Sequence, residues 1–207
     1  MRPKVFIVDH DLSIAHMFMD NDWLVVPDPE EADLIQFTGG EDVSPMLYWE
    51  RKHPATYCNP DRDQTEANVF FDYYAKPKAG ICRGGQFLNV MSGGAMYQHV
   101  DNHAIHGTHE AVDPFTGETY QVTSTHHQMM ETGEWGDVFL IAENLATFKE
   151  NGEQENQRNA GESDIEGVFY SRTNSMCFQP HPEYVEPGHE CQTLYFDKLK
   201  QFFDLGV

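Results

Sequence analysis

Lys4 to Val8 forms a compact apolar run with β-branched content, and Asp9-His10-Asp11 separates it from Leu12, Ala15 and Met19, which recur at helical spacing. That pattern predicts strand, turn, helix. Trp23 to Val26 reads as a second short strand, Pro29 to Ala32 as a helical turn, and Leu34 to Phe37 as a third apolar run ending at Thr38-Gly39-Gly40. Strand ends that open into glycines are favourable places for chemistry in an α/β sheet.

Further along, Asp63 to Ala75 has the composition of a helix, with Asp61 or Asp63 available as its cap, and Pro77 to Ile81 leads as a strand into Cys82. Gly84 to Met91 is the next helix, stopped by Gly93-Gly94. His103 to His109 and Glu118 to Thr125 alternate polar with apolar residues around Asp113-Pro114-Phe115-Thr116-Gly117, which predicts an antiparallel hairpin added to a parallel sheet. Lys149 to Asp164 carries almost no apolar residue and reads as a solvated loop. Gly167 to Tyr170 and Ser175 to Phe178 are the last strands, and Glu190 to Phe203 is an amphipathic closing helix. Together these elements predict an α/β three-layer sandwich of the flavodoxin-like kind, with a mostly parallel central sheet and antiparallel hairpin additions.

Composition narrows the possible functions. At 207 residues and 40% hydrophobic content, the chain is expected to form one domain over 1–207. A formal net charge of −21 sets a repelling field against phosphates, so nucleic acid is not an expected ligand. The N-terminal apolar run is too short for a signal-peptide core, and no apolar run approaches membrane-spanning length. Cys58, Cys82, Cys177 and Cys191 are scattered without close pairing, which reads as reduced thiols in a cytoplasmic protein.

The strongest local signal is Gly80-Ile81-Cys82-Arg83-Gly84, the G-x-nucleophile-x-G form of a turn between a strand and a helix. Small neighbours let the backbone turn sharply and project the thiol above the sheet, and the helix that follows points its positive end at the sulfur. A cysteine considered alone is usually an inert buried residue; this context reverses that preference. A thiol nucleophile needs a base, and the base needs an orienting partner. His181-Pro182-Glu183 offers both, with imidazole and carboxylate two residues apart on the same side of an extended segment.

On these residues the sequence resembles the class I glutamine amidotransferase superfamily, closest to its γ-glutamyl hydrolase-like branch, the type that hydrolyses γ-glutamyl-γ-aminobutyrate. The matching segments are Gly39 to Pro45 with Tyr48, Arg62-Asp63 with Glu66, Gly80 to Gln86 with Asn89, Gly93-Gly94, Tyr97-Gln98, Ser124 to Gln128, and Gln179 to Glu183. The resemblance implies a triad of Cys82, His181 and Glu183 and an oxyanion hole at the backbone N–H groups of Arg83 and Gly40. It further implies a pocket for the glutamyl head group at Gly39, Gln86, Ser124, Thr125, His126 and His127. Pro180 departs from the pattern, standing where an aromatic residue is usual before the histidine.

Other constellations fit less well. His103, His106 and His109, with His126 and His127, invite a metal reading, but strand alternation turns His106 away from the other two and no carboxylate or cysteine completes a recognisable ligand pattern. They are read as polar hairpin surface, and neither metal nor organic cofactor is expected. Asp42 and Arg62-Asp63 are read as loop and helix-start fasteners, and Cys58, Cys177 and Cys191 as inert. The expected activity is therefore cysteine-dependent hydrolysis of a small-molecule γ-glutamyl amide through a thioester. Two alternatives are a glutaminase subunit feeding ammonia to a synthetase or ligase in trans, and a non-catalytic binding module on the same fold.

Overall fold

The computed structural model describes residues 2–143, 145–151, 154–156 and 163–205. The first half alternates strand and helix: β1 (Lys4–Ile7), α1 (Leu12–Asp20), β2 (Leu24–Val25), β3 (Leu34–Phe37), α2 (Pro60–Asp72), β4 (Lys78–Ile81) and α3 (Arg83–Met91). Short strands follow, β5 (Ala95–Tyr97) and β6 (His99–Val100), then the long hairpin β7 (Ala104–Val112) and β8 (Thr119–Thr125). The remainder comprises β9 (Met129–Glu131), β10 (Asp137–Ala142), β11 (Lys149–Asn151), β12 (Gln154–Asn156), β13 (Asp164–Tyr170), β14 (Ser175–Phe178) and α4 (Glu190–Phe203).

Nine strands form one sheet in the order β2-β1-β3-β4-β14-β13-β10-β7-β8. Pairing is parallel from β2 through β14 and antiparallel from β14 through β8, so the expected hairpin extends a parallel sheet. Alternation along β14 shows how the layers form. Met176 and Phe178 join a core with Ile14, Phe18, Leu194 and Tyr195 of α1 and α4. Cys177 points the other way, into a core with Ala67, Phe70, Phe87 and Leu88 of α2 and α3. Side chains on a strand alternate between faces, so one strand feeds both cores and the fold is a three-layer α/β sandwich. Among the described residues no helix is long and apolar enough to cross a membrane.

Several expectations need correction. Helix α2 is capped by Asn59, whose side chain accepts from Arg62 N, with Pro60 at the first helical position. Asp63, expected as a cap, instead turns inward and accepts from Ser44 N at 3.1 Å. The polar stretch 149–164 is not simply a solvated loop. Strands β11 and β12 pair antiparallel, β11 also pairs β6, and 152–153 and 157–162 lie outside the described residues. Lys149 is buried there because Asp164 Oδ1 lies 3.2 Å from its ammonium and Tyr97 presents a ring face 5.3 Å away. Strand β10 lies outside the elements the pattern predicts: Asp137–Ala142 pairs β13 through two register irregularities.

Candidate active site

Cys82 closes β4 and caps α3. Its N–H donates to Phe178 O at 2.8 Å, its carbonyl accepts from Gln86 N at 2.9 Å, and its backbone sits at φ 51°, ψ −114°. That conformation is strained for any residue with a Cβ and is held by its surroundings. Two glycines permit the turn. A Cβ on Gly80 would fall 2.3 Å from the Gly84 carbonyl, and one on Gly84 would fall 2.5 Å from the Phe37 carbonyl. Helix α3 can therefore press directly onto the sheet beneath the thiol.

His181 follows β14 and is fixed through its backbone, whose N–H donates to Thr123 Oγ1 at 2.6 Å. Its Nδ1 lies 2.6 Å from Glu183 Oε1, and its ring stacks on Tyr184 at 4.3 Å with an interplanar angle of 2°. The contact with Glu183 is made across a turn and not along an extended segment, because Pro182 opens a 3₁₀ turn over Pro182–Tyr184. Glycine again allows the approach: a Cβ on Gly39 would stand 3.1 Å from His181 Cε1 and 3.9 Å from Cys82 Cβ. Burial works against charging the imidazole, yet the adjacent Cys82 sulfur and then Glu183 overcome it and raise His181 to about 10. With Nδ1 committed to Glu183, Nε2 is the nitrogen left for the sulfur.

Beside the thiol lies a cavity of about 200 Å³ lined by Gly40, Cys82, Arg83, Gln86, Thr125, His126 and His127 among others. Gln86 is buried and not solvent-facing, its amide donating to Gln179 Oε1 at 3.1 Å. His127 Nε2 lies 3.1 Å from Asp42 Oδ1, and this hydrogen bond raises the imidazole against the opposing effect of burial. Ser124 does not line the cavity; its hydroxyl donates to His103 O at 2.6 Å inside the hairpin. Its position follows from alternation along β8, which sends Ser124 to the face opposite Thr123.

The Gly39-Gly40 loop is pinned by Arg62, whose Nη2 donates to Gly39 O at 2.9 Å and to Thr38 Oγ1 at 3.0 Å. Gly40 has φ 137°, and a Cβ there would overlap Arg62 Nη1 at 2.1 Å. The Arg83 guanidinium is buried and pairs with Asp63 and Glu66, so the residue after the nucleophile anchors α3 to α2. Asp63 and Arg62 are thus fasteners, as the sequence predicts. Asp42 fastens too, accepting from Tyr57 N at 2.7 Å, and it also lines the cavity with Tyr57, Glu41 and Gln128. The polar loop carrying Tyr57 has no periodic signal that could have announced it. Cys58, Cys177 and Cys191 are free thiols, and burial pushes the Cys191 thiol up to about 12 and that of Cys177 well above its ordinary value.

The histidines in and beside the β7–β8 hairpin correct the sequence reading most strongly. His103, His109 and His126 are buried and are not hairpin surface. His106, at φ 52° within a register irregularity between Ala104 and Gly107, is exposed, as alternation predicts, while His103 and His109 face inward. The carboxylate that the local sequence lacks arrives from β13: His103, His126 and Glu166 place their ligand atoms within 4.8 Å of one another, a grouping able to hold a metal ion.

Fold and elbow together define a class I glutamine amidotransferase-like protein. The Peptidase C26 family model matches residues 30–145, more than half of the chain, and the chain belongs to that family. It is 38% identical over 120 residues to a glutamine amidotransferase-like protein, the YvdE homologue, of Lactococcus lactis subsp. cremoris, covering 48% of this chain and 64% of that one. It is 34% identical over 125 residues to protein NtpR of Enterococcus hirae, covering 49% and 52%. The chain thus spans between about half and two thirds of the length of these relatives. In fold it is similar to a GMP synthase subunit from Thermoplasma acidophilum (TM-score 0.63, 15% identity, 99% of this chain and 94% of that one). It is similar also to a glutamine amidotransferase from Thermotoga maritima (TM-score 0.59, 17% identity, 97% and 85%). His181 and Glu183 lie beyond the family-matched residues, so their pairing rests on geometry.

Proposed function

We propose that the protein hydrolyses a γ-glutamyl amide with Cys82 as nucleophile, His181 as general acid and base, and Glu183 as the group that orients His181. The observation that carries this reading is the His181–Glu183 contact at 2.6 Å beside a cysteine held at φ 51° at the cavity. The Cys82 thiolate adds to the γ-carbonyl carbon, and the carbonyl oxygen takes up the electron pair, accepting from the N–H groups of Arg83 and Gly40. Collapse of this intermediate breaks the C–N bond as the His181 imidazolium protonates the departing amine. Water then loses a proton to the same imidazole and attacks the thioester. Glutamate leaves and the thiolate is restored.

Gly39 supports this arrangement by letting the imidazole lie close to the thiol. The glutamyl head group fits Gln86, Thr125 and the protonatable His127, whose positive charge suits the α-carboxylate. A second reading, a glutaminase subunit delivering ammonia to a synthetase in trans, draws support from exposed Tyr57 at the cavity and from exposed Met46 and Trp49 on the stretch after Asp42.

The test is release of ammonia or amine from glutamine and a panel of γ-glutamyl amides, wild type against Cys82→Ala. Turnover by the wild type alone, with a covalent adduct formed by a glutamine-like electrophile, is the expected result. Absence of both in the wild type sinks the proposal. Activity on glutamine that rises only when a synthetase is added favours the second reading.

A further inference from the structure

Glu166 lies at the centre of the buried histidines. Its Oε1 is 3.3 Å from His103 Nδ1, 3.3 Å from His109 Nε2 and 3.5 Å from His126 Nε2. None of these four atoms makes an aligned hydrogen bond among the described residues. The partners on the far sides of two rings set the tautomers. His103 Nε2 lies 3.1 Å from Asp164 Oδ2, and His126 Nδ1 lies 2.8 Å from the carbonyl of Gln128. A carbonyl can only accept, so His126 Nδ1 carries the hydrogen and a neutral His126 turns an Nε2 lone pair toward Glu166. The same logic turns the Nδ1 lone pair of His103 toward the same oxygen. Two nitrogen lone pairs facing a carboxylate repel it, and the arrangement is buried away from water. Protonating His103 alone turns an N–H toward both Asp164 and Glu166 but leaves the His126 Nε2 lone pair facing the carboxylate, and a second proton on His126 would place two cations with centroids 4.7 Å apart.

A metal cation removes the conflict. Ligands bound tetrahedrally at ~2.0–2.1 Å stand about 3.3–3.4 Å from one another; Glu166 Oε1 lies 3.3 Å from His103 Nδ1 and 3.5 Å from His126 Nε2, and the ligand atoms of the three residues all fall within 4.8 Å of one another. The far-side contacts of His103 with Asp164 and of His126 with Gln128 O are the outer-shell partners that histidine ligands require. We propose that His103, His126 and Glu166 form a binding site for a divalent transition metal ion of the zinc type, with His109 beside it against the Glu166 carboxylate. Imidazole donors with one carboxylate suit zinc over the oxygen-seeking magnesium and calcium.

Three protein ligands leave a fourth position to water, and the ion orders the elements that carry them. It ties the segment before β7, through His103, to β13, through Glu166, and to the segment after β8, through His126. That segment carries His126 and His127 into the cavity beside Cys82, and the backbone of Glu166 accepts from Gln179 N at 2.8 Å. The ion thereby holds one wall of the cavity without touching the reacting atoms. The site does not depend on the γ-glutamyl reading.

Metal uptake by the full chain tests the proposal with Zn²⁺ and Co²⁺ as probes after chelator treatment. A Cys82→Ser background removes the thiol that could bind either ion. One equivalent of Co²⁺, showing visible bands of a tetrahedral nitrogen–oxygen site and displaced by Zn²⁺, is expected. Asp164→Asn is expected to weaken uptake about 10–100-fold, and Glu166→Gln or His126→Asn further still. Exposed His106→Ala leaves it unchanged. Folded Cys82→Ser protein that binds neither ion stoichiometrically overturns the proposal, as does uptake unaltered in Glu166→Gln. If Glu166→Gln does not fold, the Co²⁺ spectrum of the Cys82→Ser protein decides alone.

Discussion

The protein holds two histidine–carboxylate assemblies, one at His181 and Glu183 and one around Glu166, and they arrange the same functional groups differently. At the elbow one imidazole meets one carboxylate and one thiol beside an open cavity. In the hairpin three imidazoles converge on one buried carboxylate oxygen. In the proposed reaction His181 trades its proton with the sulfur, the amine and water while Glu183 orients it. The cluster around Glu166 turns nitrogen lone pairs toward a carboxylate, an arrangement that suits the proposed cation. Lone-pair direction and access to the cavity distinguish the two proposed roles. His126 lies at the junction, lining the cavity while turning its Nε2 to Glu166.

The largest effect expected falls on the elbow. Cys82→Ala is predicted to lower kcat on a γ-glutamyl substrate by about 10⁴-fold or more, measured as amine release. Glu183→Gln keeps the shape but weakens orientation of the imidazole, and a loss of roughly 10³–10⁴-fold in kcat with little change in KM is expected. Between these two sits a prediction about protons. His181, raised to about 10, exceeds the ordinary histidine value, so its contribution to stability is complete below about 6.5 and is lost as pH rises through about 10. Removing the sulfur in Cys82→Ala lowers that upper limit toward the ordinary value, which an NMR titration of the His181 ring can follow. An unmoved His181 titration breaks the distinction drawn between the two assemblies.

Most of the layered fold, and most of the elbow, was legible from local pattern. The α4 boundaries, the β14 run and Gly80 to Gly84 carry their own periodicity or spacing. What was not legible depends on long-range partners. Glu166 and His103 are 63 residues apart in number, and nothing local to either announces the other. Alternation turns His106 away from His103 and His109, but it cannot say that the face carrying those two is buried against Glu166. Lys149 read as solvated because its partners, Asp164 and the Tyr97 ring, come from other strands. A charged residue becomes a core residue only when the fold supplies its counter-charge.

Smaller effects separate backbone demands from side-chain demands. Gly84→Ala sets a Cβ 2.5 Å from the Phe37 carbonyl, a backbone obstacle that cannot rotate away. A loss of about 1–3 kcal/mol in urea unfolding is expected, with activity falling as α3 lifts from the sheet. The smallest effect belongs to His106, on the same strand as His109 but exposed and at φ 52°. Asn accepts that left-handed conformation at least as readily as His, so His106→Asn should change stability by less than about 0.5 kcal/mol. It should also leave Co²⁺ uptake intact, whereas His126→Asn should weaken it. If the two substitutions behave alike, the buried histidines do not hold the ion and the proposed site fails.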